Sequence, residues 1–272
     1  MASPNVTFST AAFFARPLDD IFGLVADAGY RGVEVMVTKE PASQDARTMR
    51  RLARAHGLTI AAIHAPCLLL TRKVWGSDPV GKISRAVQVA EEAGASVVVV
   101  HPPYRWQRDY RRWLDETYPT LPERTGVTVA VENMFPVHLA GRPMTFHANQ
   151  TLDDLAGYPH LAFDTSHAAV ASHDLLAVRR RLNGRIRHVH LSDNAGKGWD
   201  SHLPPGEGVL PIDEFLMDLA DDGFEGAVSL EVDLRRYLTD PPRLRETLVA
   251  MRERCELALA PADDGLAAQQ AS

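Results

Sequence analysis

Eight times along the chain a short β-branched or apolar run is followed by a helix-forming segment, with no break in composition between one unit and the next. The spacing predicts strands over 6–10, 32–37, 58–64, 96–101, 127–133, 161–164, 186–193 and 227–232. Helices are expected over about 17–28, 44–56, 79–93, from about 104, over 152–156, 174–182, 211–222 and 242–259, with an irregular segment over 134–149 and the sixth strand running into Thr165-Ser166-His167. Leu18, Ile21, Phe22 and Val25 recur at helical spacing, and Gly29, Gly57, Gly94 and Gly223 stand where helices should stop. The uninterrupted Val97–Val100 run is what a parallel strand buried on both faces requires. Repeated strand-helix units of similar length imply a single-domain α/β fold, a closed (β/α)8 TIM barrel over residues 1–260. No G-x-G-x-x-G or P-loop pattern stands at a strand-to-helix turn, so an open nucleotide-binding sheet lacks its signature. Residues 261–272 are small and polar and are expected to form a disordered tail.

A chain of 272 residues with 45% hydrophobic content is long enough for one large core. Its net charge of −6 opposes a dominant pull toward phosphate backbones, which makes nucleic acid an unfavoured partner. Cys67 and Cys255 have no spacing that signals a disulfide framework or a thiolate zinc site. The first residues carry no basic stretch followed by an apolar one, and no apolar run is long enough to span a bilayer. A cytoplasmic protein is expected, with no membrane partner, and nothing in the sequence opposes a homo-oligomer.

In a barrel of this kind the chemistry sits at the C-terminal ends of the strands. From the third strand to the eighth those ends carry His64, His101, Glu132, Asp164, His190 and Glu231. Alternation puts His188 and His190 on one face of the seventh strand. The following loop, with Asp200, His202 and the turn from Pro204 to Gly208, returns toward that strand's exit. A buried carboxylate costs several kcal/mol unless it is paired or bound to a cation, so three of them converging on one mouth point to a divalent metal.

Four of these segments, Val131-Glu132-Asn133, Phe163-Asp164-Thr165-Ser166-His167, His188-Val189-His190-Leu191-Ser192-Asp193 and Leu230-Glu231-Val232, resemble the xylose isomerase-like barrel superfamily. That superfamily includes sugar isomerases and epimerases, inosose dehydratase and endonuclease IV. The resemblance covers nearly the whole chain to about residue 235. It implies that Glu132, Asp164, His190 and Glu231 hold one divalent ion (zinc, manganese, magnesium or cobalt), that Glu132 and Glu231 also move protons, and that His167 contacts substrate. The endonuclease branch adds ligands for up to three ions, and His64, His101, His167, Asp200 and His202 stand at the matching places.

Two activities follow from this resemblance. The first is a metal-dependent isomerase or epimerase of a sugar or related polyhydroxy carbonyl compound, with proton transfer through an enediolate; a lyase of the inosose dehydratase type is its near relative. The epimerases carry an arginine in the loop after the seventh strand, where this chain offers Lys197, so Lys197 is a candidate substrate contact and ketose epimerisation is the weaker version. The second is a zinc-dependent phosphodiester hydrolase resembling endonuclease IV, which His-rich ligation favours. Between Tyr104 and Trp113 four arginines stand against Asp109, a local +3, and Arg105 is a candidate anion contact there, although such a run more often forms a solvated helix face. Glu34 either lines the mouth or pairs with an arginine. Cys67 is expected to be small, buried and apolar. His56, His138, His147, His160 and His173 are expected to be solvated in loops or at helix ends.

Overall fold

The protein is described here from a computed structural model, which covers residues 5–14, 16–67, 71, 73–120, 126–139, 142–148 and 151–260. Eight parallel strands close into a barrel: β1 (Asn5–Ser9), β2 (Gly32–Met36), β3 (Thr59–His64), β4 (Val97–Val100), β5 (Thr128–Glu132), β8 (Leu161–Asp164), β9 (Ile186–Leu191) and β10 (Ala227–Leu230). Around the wall each strand pairs with its successor, and β10 pairs with β1 to close the ring. The antiparallel ribbon of β6 (Val137–Leu139) and β7 (Arg142–Met144) stands apart. The helices are α1 (Leu18–Asp27), α2 (Ala46–Ala55), α3 (Pro79–Ala93), α4 (Arg108–Glu116), α5 (Leu152–Gly157), α6 (Thr165–Val170), α7 (Leu175–Arg181), α8 (Ile212–Asp221) and α9 (Pro241–Ala258).

Local chemistry sets the helix ends. Asp45 accepts from the Thr48 amide to cap α2, and Asp78 accepts from the Val80 and Gly81 amides ahead of Pro79 to cap α3. Gly94, at φ 83°, closes α3 by donating to Ala90 and Glu91, a backbone conformation that favours glycine. The stripe Leu18, Ile21, Phe22 and Val25 is buried against the wall as its spacing predicts.

Two apolar groups result from strand alternation. The larger fills the layer between strands and helices. The smaller, Ala62, Val97, Val99, Ala130 and Ala162, is a separate cluster on the other strand faces. These residues precede His64, His101, Glu132 and Asp164 by two positions, or by two and four for the valines. Side chains two apart share a face, so the residues that plug the barrel and those that line its mouth are continuous columns.

Three expectations need correction. The segment from Tyr104 does not open a helix: Gln107 accepts from the Tyr104 amide through its side chain and donates to the Tyr104 carbonyl, making a turn, and α4 begins at Arg108. The stretch 134–149 is not wholly irregular, because it contains the β6–β7 ribbon. Residues 165–167 do not prolong the sixth barrel strand; Asp164 caps α6 by accepting from the His167 amide at 2.7 Å. The tail 261–272 lies outside the described residues. Among the described residues no helix is long and apolar enough to cross a membrane.

Candidate metal centre

The mouth is built around His190, on β9 and fully buried. Its Nδ1 lies 3.1 Å from Glu132 Oε1, 3.1 Å from Glu231 Oε2 and 4.0 Å from Asp164 Oδ2. Asp164 and His190 are partners in the register of neighbouring strands. Glu132 extends the centre toward β3 and β4, with Oε2 at 3.1 Å from His101 Nε2 and 3.5 Å from His64 Nε2. His167 Nε2 is 3.4 Å and His202 Nε2 2.7 Å from Asp200 Oδ2. Among the described residues four groups could each hold an ion by the spacing of their donor atoms: three adjoin at the mouth (His64, His101 and Glu132; Glu132, Asp164 and His190; Asp164, His167 and His202), and the fourth is Glu34, His188 and His190. Glu132 and Asp164 are shared between groups.

The hydrogen bonds behind the histidines decide which nitrogen faces the centre. A carbonyl can only accept, so a ring nitrogen against one carries the proton. His64 Nδ1 donates to Ala65 O at 3.1 Å, His167 Nδ1 to Asn133 O at 2.8 Å and His202 Nδ1 to Glu231 O at 2.9 Å. Each ring therefore presents Nε2 inward, where loss of a proton leaves the lone pair that a metal needs. His190 is held the other way, with Nε2 at 2.9 Å and 3.1 Å from the two oxygens of Glu34 and Nδ1 inward.

The carboxylates are oriented with similar economy. Asp164 spends Oδ1 on the α6 cap, and Asn133 fixes its main chain by donating to Asp164 O and accepting from Asp164 N. Asp200 accepts from Ser166 Oγ through Oδ1, which aims Oδ2 at the two histidines. Glu132 Oε2, Asp164 Oδ2 and Glu231 Oε2 are buried and, despite the nearby imidazoles, have no hydrogen-bond partner of good geometry among the described residues. Three such oxygens beside imidazole lone pairs fit a cation and are costly without one. The donor set of imidazole and carboxylate suits zinc, manganese or cobalt.

Electrostatics shows the same need for positive charge. Burial works to lower the pKa of His190, but the carboxylates of Glu34, Glu231 and Glu132 outweigh it and hold the ring protonated well above its usual range. Burial works to raise Glu132, and His190 and His101 bring it well below the ordinary carboxylate range. Burial dominates for Asp164 and Glu231, whose pKa values are raised despite nearby histidines. His202 is lifted to about 9: burial opposes this, and the hydrogen bond and charge of Asp200, with Asp164 and Glu231, prevail.

The loop after β9 is tied by one side chain. Asp193 accepts from the amides of Asn194, Gly206, Gly208 and Leu210. Gly206 has φ 88°, and a Cβ on Gly208 would collide with the Asp193 carboxylate, so the glycines of this turn allow the approach. His202 itself has φ 41°, a strained conformation for a residue with a Cβ, held by its Nδ1 contacts and by the Asp233 amide donating to its carbonyl.

Glu34 is the residue that sequence reasoning left open. It is fully buried, pairs with no arginine among the described residues, and bonds to His188, His190 and Ser9 Oγ. Its signal was weak because the β2–β3 register shifts at Val33/Glu34, from Ile60 to Ala62, so its facing does not follow from simple pairing. His188 lies beneath His190 with Nδ1 unpartnered. Lys197 and Arg105 are both exposed: Lys197 stands 5.7 Å over Trp199, and Arg105 lines a separate cavity of about 600 Å³ with Arg111 and Arg181. Neither joins the centre. His147 is buried rather than solvated, stacked 4.3 Å from Tyr104 with Nδ1 donating to Pro102 O. His56 pairs with Asp19, and Cys67 is half-buried with its thiol pushed to about 11, chiefly by burial.

The family model for the xylose isomerase-like TIM barrel matches residues 22–254. An uncharacterized protein of Mycobacterium tuberculosis is 39% identical over 247 residues, 84% of this chain and 88% of its own. Fructoselysine 3-epimerase of Shigella flexneri is 23% identical over 253 residues, 83% of this chain and 88% of that one. The IolI protein, solved with a bound zinc atom, superposes with a TM-score of 0.69 at 17% identity, covering 94% of this chain and 98% of its own, and is evidence of the shared fold. The chain belongs to the xylose isomerase-like TIM barrel family.

Proposed function

We propose that the protein is a divalent-metal-dependent isomerase or epimerase of a sugar or related polyhydroxy carbonyl compound. The observation that carries this reading is the convergence of Glu132, Asp164 and Glu231 on His190 Nδ1 with one buried oxygen of each carboxylate unpartnered. Those four residues would hold the principal ion, and His64, His101, His167, Asp200 and His202 would add to it. A bound divalent ion supplies a Lewis acid for a substrate carbonyl and its neighbouring oxygen. The chain supplies the proton transfer. Around the ring Glu132, on β5, and Glu231, just past β10, lie to either side of β9, each 3.1 Å from the same nitrogen, so two carboxyl groups face one small volume from two directions. Glu132, held ionised by its histidines, is suited to remove a proton alpha to a carbonyl, and Glu231, proton-bearing to higher pH through burial, to return one. His167, at the wall between Asn133 and Asp200, is placed to orient substrate oxygens. Likeness to an epimerase of the same family adds support.

The test pairs metal analysis with Glu231→Gln. The parent should hold at least one ion per chain and exchange the alpha proton of its substrate with solvent. Glu231→Gln should keep an ion and lose exchange at least about 100-fold, the scale of a lost general acid or base. A variant that retains exchange would remove Glu231 from the chemistry.

A second reading, a zinc-dependent phosphodiester hydrolase of the endonuclease IV type, is favoured by one observation: seven of the nine candidate donors fall into three adjoining groups that share Glu132 and Asp164, as a multi-ion clamp on phosphate requires.

A further inference from the structure

One buried cation has no counter-charge. Lys82, in the first turns of α3, is only 5% exposed, and no carboxylate lies within ion-pair distance of it among the described residues. Its Nζ donates to Pro66 O at 2.9 Å and Thr71 O at 3.1 Å, which uses two of three hydrogens and neutralises nothing. The nearby acid, Asp78, is committed to the α3 cap, and the sequence 68–72, Leu-Leu-Leu-Thr-Arg, contains no acid. Arg179, another deeply buried cation, is treated differently and is paired with both Asp218 and Asp222. Burial with only two carbonyls for partners disfavours the charged form of Lys82 and lowers its pKa, and an anion placed beside it would restore the ammonium.

Lys82 lines a cavity of about 470 Å³ whose walls include Cys67, Tyr104, Trp106 and Tyr110. The cavity shares His101 with the metal centre, where His101 Nε2 is 3.1 Å from Glu132, while its Nδ1 is buried without a partner. Tyr104 and Trp106 stack in parallel at 4.8 Å, and Tyr104 is backed by His147, which gives the cavity a stiff aromatic wall. Trp106 is 61% exposed, so one face of that wall is open.

We propose that this cavity is the subsite for an anionic group of the substrate, a carboxylate or a phosphate, with Lys82 as its counter-charge and the Tyr104–Trp106 stack as its wall. A polyhydroxy compound with its reacting carbons at the Glu132 centre would extend past His101 and place its charged end at Lys82. The role falls to Lys82 rather than to Arg105 or Lys197, both exposed and neither lining this cavity.

Calorimetry on the metal-loaded protein would use three probes: fructose, fructose 6-phosphate and glucuronate. At least one anionic probe should bind about tenfold or more tightly than fructose, and which of the two does so separates phosphate from carboxylate. Lys82→Met should abolish that preference while metal content and fructose affinity stay unchanged. Lys82→Gln keeps amide donors for the two carbonyls and removes the charge, so it carries the test if Lys82→Met does not fold. Equal binding of the three probes by the parent, or a preference that survives both substitutions, would overturn the proposal. It rests on the metal-centre reading, yet the two fail separately: a parent that takes up no ion defeats the centre, whereas a loaded parent without anion preference defeats the subsite alone.

Discussion

His202 shows how one residue here serves two opposed demands. Its ring is tied through Nδ1 to the Glu231 carbonyl and faces Asp200 through Nε2, so without metal a proton on the ring is stabilised and its pKa rises to about 9. A histidine whose folded pKa exceeds its unfolded value of about 6.5 contributes stability fully present below pH ~6.5 and lost as pH rises through about 9. His190, His167 and His64 are shifted in the same direction. Metal-free protein should therefore lose on the order of 2 kcal/mol or more between pH 6.5 and 9, and His202→Ala should flatten part of that slope. Metal binding should run the other way and tighten over the same window, because ligand nitrogens must shed protons. Chemical denaturation at several pH values, with and without zinc, measures both; a metal-free stability that rises across this window would contradict the protonated cluster. Glu34 acts one bond further out. By accepting from His190 Nε2 it fixes Nδ1 as the inward nitrogen, so Glu34→Gln should weaken metal binding by about 10–100-fold, read by chelator competition, with the fold intact. Unchanged affinity would leave Glu34 as packing only.

At the scale of elements, the loop from Asn194 to Leu210 hangs on Asp193. Asp193→Ala would strand four amides, at a cost on the order of 3 kcal/mol after partial rehydration, and hydrogen exchange at Gly206 and Gly208 should accelerate. The donor group containing His202 should weaken, while Glu132, Asp164 and His190 keep their ion. Exchange that remains slow would mean the loop is held from elsewhere. What was readable in advance follows from what each element depends on. His64, His101, Glu132, Asp164, His190 and Glu231 were legible because strand alternation and the functional end of a barrel are local rules, and they come together at one mouth. Glu34 was not, because the register shift at Val33/Glu34 is set by β3 rather than by β2's own sequence. α6 was hidden because Asp164 both ends a strand and caps a helix, with threonine and serine following it. His147 read as solvated because its burial depends on a stack with Tyr104, 43 residues earlier in the chain. Nothing in the sequence singles out Lys82, because its partners are the Pro66 and Thr71 carbonyls, 16 and 11 residues earlier in the chain.

For the whole molecule the two enzymatic readings differ in what surrounds the same centre. A nuclease needs a broad basic face to hold a duplex. Here the net charge is −6, and the arginines at 105, 108, 111 and 112 form one short cluster on and just before α4. The mouth is instead flanked by open clefts: one with Lys82 and His101, and another of about 460 Å³ with Phe13, His202, Glu231 and Arg235. Compartments of that size fit a small molecule reacting at Glu132 and Glu231. The most direct measurement is solvent deuterium incorporation by the zinc-, manganese- or cobalt-loaded protein, across a panel of ketoses, aldoses and inososes, run beside an abasic-duplex nicking assay. Incorporation is expected at the carbon alpha to the carbonyl of at least one compound, dependent on both Glu132 and Glu231, with little nicking. Robust metal-dependent cleavage of the abasic duplex, with no incorporation in any compound of the panel, would contradict it.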